Sequence, residues 1–139
     1  MSQLTINNKQ PVPRSLSEVG STIKFDLKDR SYRFSLEIIG FVDKLPQERV
    51  FIPVGDQLLR ASTSVGSNIV EANSSSSEKE FIKYYEIALK SANKAEYWLS
   101  LLRDSYKELG KDTESLISEI GGIMALIESS LGTIKRRKN

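Results

Sequence analysis

The sequence predicts an all-α protein with the architecture of an antiparallel up-down-up-down four-helix bundle. Four segments place apolar residues at intervals of three and four, which is the spacing of an amphipathic helix. No segment alternates apolar and polar residues as a half-buried strand does. With 139 residues, the chain corresponds to one domain that can bury a core without disulfides or metal ions. The connections between the segments are short, so we expect neighbouring helices to run in opposite directions.

The N-terminal residues 1–22 are expected to form a flexible arm, and residues 23–135 the bundle. The arm is rich in Asn, Gln, Ser and Pro, and Pro11 and Pro13 oppose helix formation there. The first helix is predicted over residues 23–44, and Pro46 ends it. Its predicted buried stripe consists of Leu27, Phe34, Ile38, Phe41, Val42 and Leu45.

The second helix is predicted over residues 53–73, because Pro53 suits the first turn of a helix. Small residues dominate its middle, where Gly66 costs about 1 kcal/mol of helix propensity relative to Ala. Neighbours can approach a thin helix closely, so we expect this face to pack inside the protein or against another copy. Its polar side, an arc of about 80°, carries Arg60, Ser64, Asn68 and Glu71. This strip is either a contact between subunits, a binding strip or an ordinary solvated face.

The third helix begins with a predicted capping box, in which Ser77 and Glu80 each bind a backbone N–H of the first turn. Gly110 is expected to end the helix. Between them lies the most regular apolar pattern in the chain, with a mean spacing of about 3.5 residues, which is typical of a coiled-coil seam. The seam consists of Phe81, Tyr85, Ala88, Ala92, Ala95, Leu99, Leu102, Tyr106 and Leu109.

Aromatic and basic residues alternate on the outer part of the third helix. Tyr84 and Tyr97 lie off the seam, among Lys83, Lys90 and Lys94. Such a pattern can bind nucleic acid, because aromatic rings stack on bases and lysines contact phosphates. Packing in the core or at a subunit interface is the alternative explanation for the two tyrosines, and the pattern alone leaves both open.

The fourth helix is predicted to be capped by Asp112 or Thr113, with Gly121 and Gly122 as a weak point. Its buried stripe is predicted to be Leu116, Ile120, Ile123, Ile127, Leu131 and Ile134.

The chain ends in a basic tail, residues 136–139, which follows Lys135. The whole chain has 20 Lys and Arg against 18 Asp and Glu, and its basic character comes from Lys135, Arg136, Arg137 and Lys138. Without these four cations the remainder carries a net charge of −2. The tail is either a phosphate-binding patch or a frayed helix end whose charges complement the helix dipole.

The composition excludes several kinds of active site. The chain contains no Cys and no His, which removes thiolate nucleophiles, serine–histidine triads and zinc sites built from those ligands. The remaining candidates for acid–base chemistry or Mg²⁺ binding are carboxylates, namely Glu71, Glu78, Glu80, Glu86 and Glu96. Their spacing places no two of them on a buried face, so the sequence predicts no enzyme, no metal and no cofactor.

The sequence also predicts that the protein does not enter a membrane. The first 22 residues contain no apolar stretch of the kind a signal peptide needs. The longest apolar runs elsewhere are much shorter than the roughly 18 residues that span a bilayer. We therefore expect a soluble, cytoplasmic protein.

One stretch of the second helix carries a specific motif. Residues 60–72 follow the pattern Arg-x-x-x-Ser-x-Gly-x-Asn-Ile-x-Glu-Ala. Together with Glu80-Phe81-Ile82, residues 87–92 and residues 97–102, this motif resembles the bacterial four-helix-bundle family named for proteins encoded in intervening sequences of 23S rRNA genes. The resemblance covers residues 29–135.

This resemblance implies more than the residues alone indicate. Members are similar to the accessory variability determinant of diversity-generating retroelements, a ring-shaped homopentamer that binds RNA and a reverse transcriptase. The resemblance therefore implies a homo-oligomer, with a pentamer expected, and RNA or a reverse-transcriptase-like protein as partner. Our first hypothesis is a non-enzymatic, oligomeric accessory or scaffold protein associated with RNA or a ribonucleoprotein. The alternative is a purely protein-binding structural module with no nucleic-acid role.

Overall fold

Four long helices make up the part of the chain described by the computed structural model, which covers residues 16–138 and the side chains of residues 26–137. They are α1 (Leu16–Asp43), α2 (Phe51–Asn73), α3 (Glu78–Ser105) and α4 (Gly110–Lys138). A short 3₁₀ helix, Lys107–Leu109, precedes α4, and residues 16–138 contain no strand. The predicted all-helical fold class is confirmed.

The first helix is longer than predicted. Helix α1 begins at Leu16, so the predicted helix start at residue 23 is wrong. The last proline before the helix is Pro13, and once a helix has formed, each further turn costs little free energy. Residues 1–15, which make up the rest of the predicted arm, lie outside the described part of the chain.

The buried stripes of all four helices meet in one core. The predicted seam of α3 is fully buried from Tyr85 to Leu99, and Leu102 is nearly so. In α4 the predicted stripe is buried from Leu116 to Leu131. Helix α1 packs against α2 and α4, and α3 packs against the same two helices, whereas the backbones of α1 and α3 do not approach each other closely in the described residues. The helices thus stand at the corners of a square, with α1 and α3 on one diagonal.

The small-residue face of α2 packs against α1 of the same chain. A methyl group added at Gly66 would lie 3.5 Å from Ser31 Cβ and 3.6 Å from the Ser31 carbonyl oxygen. Ser31 is fully buried, and its hydroxyl donates to the Leu27 carbonyl oxygen within α1. Of the two expectations for the thin helix, packing inside the protein is the one observed at Gly66.

The connection between α3 and α4 differs from the prediction. Helix α3 ends at Ser105, and Tyr106 is extended with φ −144°, so the seam does not continue through Tyr106 and Leu109 as helix. Gly110 does not end α3 but starts α4, in a right-handed helical conformation with φ −56°. Thr113 is not an N-cap, because it is buried and its Oγ1 donates to the carbonyl oxygens of Leu109 (2.8 Å) and Gly110 (2.9 Å).

The start of α3 is capped by the side chain of Ser77, as the sequence predicts. Ser77 Oγ accepts a hydrogen bond from the Glu80 backbone N–H at 3.1 Å, as a capping box requires. Glu80 Oε1 reaches back to the N–H of Ser76 at 3.3 Å rather than to that of Ser77. Two backbone donors of the helix start are therefore satisfied by side chains.

One described helical stretch, residues 107–137, is long and apolar enough to cross a membrane by length and composition alone. It is the same stretch whose stripe from Leu116 to Leu131 packs in the core of the bundle. Core helices of globular proteins pass such a test, so this observation is weak support for a membrane span.

Candidate functional site

The polar strip predicted on α2 divides into two parts. Ser64 Oγ lies 2.8 Å from Ser91 Oγ of α3, and Asn68 Nδ2 donates to the carbonyl oxygen of Ser64 at 2.8 Å and to its hydroxyl at 3.0 Å. Ser64 therefore joins α2 to α3 within one chain, and Asn68 holds Ser64 from within α2. Arg60 and Glu71, at the two ends of the strip, are exposed.

The basic tail continues α4 as helix and reaches across to α3. Lys135 Nζ lies 3.1 Å from Glu86 Oε2, and Arg137 Nη2 lies 3.1 Å from Glu78 Oε2. Arg136 has no acidic partner among the described residues; its guanidinium lies beside Gly132 and donates weakly to Thr133 Oγ1 at 3.5 Å. The side chain of Lys138 lies outside the described residues.

The lysines predicted on α3 share one outer side of that helix. At 100° per residue, Lys83, Lys90 and Lys94 fall within an arc of about 40°, and all three are exposed. Lys83 Nζ lies 5.4 Å from the ring centroid of Tyr84, a cation–π contact. Tyr84 itself is half-buried against the core.

The tail and the α3 lysines lie along one edge of the molecule, although the sequence predicted them as two separate candidate sites. Glu86, the partner of Lys135, lies three residues after Lys83 and four before Lys90, so it is on the adjacent helix surface. The two ion pairs neutralise two acids on this edge. We call the cations of this region the α3–α4 edge: Lys83, Lys90, Lys135, Arg136 and Arg137.

Two exposed apolar faces lie elsewhere on the surface. The face on α1, which we call the α1 face, consists of Tyr32, Leu36 and Ile39, whose residue exposures are 64%, 52% and 50%. The face on α3, the α3 face, consists of Tyr97 (59%) and Leu101 (41%). Tyr97 was predicted from the sequence, whereas the α1 face was not. The spacing of four and three residues outside the predicted buried stripe was the signal that could have found it.

An open, polar groove between α1 and α4 contains an ion pair with two hydrogen bonds. Arg30 Nε donates to Glu119 Oε2 at 2.9 Å and Arg30 Nη2 to Oε1 at 3.0 Å. The hydrogen bonds with Glu119 raise the pKa of Arg30 above its ordinary value. The guanidinium lies over Gly122, where a methyl group would come within 2.5 Å of Arg30 Nη2. Gly122 thus provides the space in which this pair forms.

The described residues offer little for acid–base chemistry. The resolved pKa shifts concern Arg30, the surface pair Arg103–Asp104, and Tyr85. Hydrogen bonding to Arg103 lowers the pKa of Asp104, and burial raises the pKa of Tyr85 to about 12. Each of these shifts moves the group further from neutral pH. Among the described residues, no group of three Asp, Glu, His or Cys side chains could hold a metal ion.

A family model described as 23S rRNA-intervening sequence protein matches residues 24–129. The chain belongs to this family. A similar solved structure is a protein of unknown function from the S23 ribosomal protein family of Bacteroides thetaiotaomicron. It is 34% identical, with a TM-score of 0.74, and the match covers 79% of this chain and 98% of that chain. A search of curated proteins gives no match.

The candidate surfaces of this 23S rRNA-intervening sequence protein divide into those inside and those outside the residues that the family model matches. The polar strip of α2, the α1 and α3 faces and the α3 lysines all lie within residues 24–129. The tail cations begin at Lys135 and lie beyond the matched residues. These candidate surfaces therefore lie within the matched region, and the basic tail lies outside it.

Proposed function

We propose that this protein is a non-enzymatic, oligomeric four-helix-bundle accessory protein of the cytoplasm that binds RNA through the α3–α4 edge. The observation that carries the proposal is the position of the tail. Its cations bind acids on α3 and so extend the row of exposed lysines on that helix.

The proposed architecture is an up-down-up-down bundle with antiparallel neighbours. Contacts between helices support it, because residues early in one helix meet residues late in the next. Phe51, at the start of α2, packs edge-on against Tyr106 after the end of α3, with ring centroids 5.4 Å apart. Glu78, at the start of α3, pairs with Arg137 at the end of α4.

A role in binding rather than catalysis agrees with the chemistry of the side chains. The absence of Cys and His from the sequence removes the usual nucleophiles and neutral-pH bases. The ionisable groups with shifted pKa values are structural ion pairs and one buried tyrosine. None of them pairs a nucleophile with a base.

The charge distribution supports a polyanionic ligand at one end of the bundle. The stretches 26–36, 71–90 and 128–138, which belong to this end, carry ten Lys and Arg against seven Asp and Glu. The stretches 37–60 and 96–119, which form the other end, carry six against ten. A phosphate backbone is therefore attracted to the α3–α4 edge and repelled by the opposite end.

Salt-dependent RNA binding tests this proposal. Each phosphate contact contributes about 0.7–0.9 to the slope of log affinity against log salt. Lys83→Ser/Lys90→Ser should therefore lower the slope by roughly 1.4–1.8. The matched control is Lys107→Ser/Lys111→Ser, which removes the same charge from the opposite end and should leave the slope nearly unchanged. Equal effects of the two variants would show that binding follows net charge and not the α3–α4 edge.

Two acid substitutions test the role of the tail. Glu78→Gln/Glu86→Gln removes the carboxylates that Lys135 and Arg137 bind, which releases both cations for phosphate. RNA binding should become tighter and its salt dependence steeper. Replacement of Lys135, Arg136, Arg137 and Lys138 by Ser should have the opposite effect. If neither variant changes binding, the tail is not part of the RNA site.

The second candidate function is a protein-binding structural module without a nucleic-acid role. The observation that favours it is the exposure of the α1 and α3 apolar faces, since such patches mark protein interaction sites. Failure of the intact protein to bind RNA at low salt would decide for this candidate. A reverse-transcriptase-like protein is the partner to test first, because the sequence resemblance implies one.

Self-association is part of the proposal, with a homopentamer as the expected state. Light scattering at micromolar concentration measures it directly. A mass of five chains is the expected result, and a monomeric mass would contradict the oligomer without affecting the RNA test.

A further inference from the structure

Exposed residues of α3 form a straight row that joins the lysines of this helix to its apolar face. At 100° per residue they fall within an arc of about 60°, on the side of the helix opposite its buried seam. From Lys83 to Tyr97 the row extends over 14 residues, or ~21 Å along the helix. We call it the α3 row, and it consists of Lys83, Lys90, Lys94, Tyr97 and Leu101.

The lysines of the α3 row are available to a polyanion. Among residues 26–137, Lys90 and Lys94 form no ion pair, and Lys83 contacts the ring of Tyr84 rather than a carboxylate. Glu86 lies beside the row, but Lys135 binds its carboxylate at 3.1 Å. The row therefore carries positive charge that the described part of the chain does not neutralise.

Tyr97 places an exposed aromatic ring at the end of this line of charge. Its residue exposure is 59%, and its ring meets the ring of Trp98 edge-on, with centroids 5.2 Å apart and an interplanar angle of 74°. Trp98 is partly buried against the core, so it holds the tyrosine ring at the surface. Leu101, one turn further along, extends the apolar surface beside the ring.

Tyr97 differs in this respect from Tyr84, the other tyrosine that the sequence predicted outside the seam. Tyr84 is partly buried against the core, and the Lys83 ammonium lies 5.4 Å from the centroid of its ring. Of the two rings, Tyr97 is therefore the one that a ligand can reach.

We propose that the α3 row binds single-stranded RNA, with its lysines on phosphates and an unpaired base stacked on Tyr97. The proposal rests on the RNA binding proposed above and specifies the kind of RNA. Stacking on a side chain needs a base whose flat face is free, whereas each base inside a duplex is already stacked between its neighbours. Lysines contact the phosphates of either form, so the preference for single strands resides in Tyr97.

The charge of the row favours RNA over a protein as the occupant of this surface. A protein that covered Tyr97 would also approach the unpaired ammonium groups of Lys90 and Lys94. A polyanion gains from the same two charges, because its phosphates replace the acids that the row lacks. The row also continues the α3–α4 edge, with which it shares Lys83 and Lys90.

Binding of an unstructured RNA and of a duplex of the same length tests the proposal. Tyr97→Ala should weaken binding of the single strand by about 5- to 150-fold and leave binding of the duplex nearly unchanged. Tyr97→Leu keeps apolar surface but lacks a flat ring and should lose a similar factor, whereas Tyr97→Phe should bind like wild type. The matched control is Tyr32→Ala, which removes an exposed tyrosine from α1 and should alter neither affinity.

Salt dependence distinguishes stacking from contact with phosphates. Tyr97→Ala removes no charge, so the slope of log affinity against log salt for the single strand should stay at its wild-type value. Lys94→Ser should lower that slope by about 0.7, the contribution of one phosphate contact. A lower slope in Tyr97→Ala would show that the ring acts by positioning the lysines, which would overturn the stacking.

The possible outcomes separate this proposal from RNA binding itself. If the intact protein binds neither RNA, both are overturned. If it binds RNA but Tyr97→Ala weakens both RNAs equally, or weakens the single strand no more than Tyr32→Ala does, the stacking is overturned and the α3–α4 edge stands. Circular dichroism checks that each variant is folded. A lower mass of Tyr97→Ala in light scattering, with unchanged binding of the single strand, would assign the ring to a second copy and overturn the proposal.

Discussion

Two adjacent glycines of α4 allow the contribution of the Arg30–Glu119 pair to stability to be measured as the difference between two alanine variants. A methyl group at Gly121 would meet nothing within 4 Å, whereas one at Gly122 would lie 2.5 Å from Arg30 Nη2 and 3.3 Å from Cζ. Each Gly→Ala change gains about 1 kcal/mol of helix propensity. In Gly122→Ala the guanidinium must move, and the two hydrogen bonds to Glu119 are lost. This pair is about one-third exposed, so its loss costs about 0.2–1 kcal/mol.

The prediction is that Gly121→Ala stabilises the protein by about 1 kcal/mol and Gly122→Ala by clearly less. For a chain of this length, 1 kcal/mol corresponds to about 3–5 °C in Tm. Thermal and urea unfolding of both variants measure the difference. The decisive control is the Arg30→Gln background, in which Gly122→Ala should recover the full gain. Equal stabilisation by the two alanines in the wild-type background would refute the reasoning.

Three further predictions concern the core and the helix ends. Gly66→Ala should raise stability by about 1 kcal/mol, because the new methyl fits at 3.5 Å from Ser31, whereas Gly66→Leu should lower Tm by overpacking this contact. Ser77→Ala removes the cap of α3 and should cost about 1 kcal/mol in urea unfolding. The free energy of unfolding should fall as the pH rises from 10 to 12. The reason is that Tyr85 loses its proton near pH 10 in the unfolded chain but only near pH 12 in the folded one. Tyr85→Phe should therefore lose less stability than wild type over that range, and Tyr97→Phe, at an exposed ring, should behave like wild type.

The buried positions were predictable because they depend on local geometry. A helix repeats every 3.6 residues wherever it occurs, so the apolar spacing from Tyr85 to Leu102 and from Leu116 to Leu131 identifies the buried side without knowledge of the neighbours. The predicted seam of α3 ends where the helix ends. Tyr106 leaves the helical conformation, and its ring packs edge-on against Phe51, a residue that is distant in sequence.

The ends of the helices were less predictable. Pattern and propensity placed the start of α1 seven residues too late, because residues 16–22 contain nothing that forbids a helix and little that demands one. Gly110 looked like a stop, but glycine also tolerates ordinary helical angles, and the chain uses it at the start of α4.

The candidate site could be predicted as a set of charges but not as an arrangement. The sequence identified Lys135 and Arg137, but their partners Glu86 and Glu78 are 49 and 59 residues away. A single sequence gives the number of cations and does not show which of them are already paired. The same limit applies to Arg30 and Gly122, whose relation depends on the packing of α1 against α4.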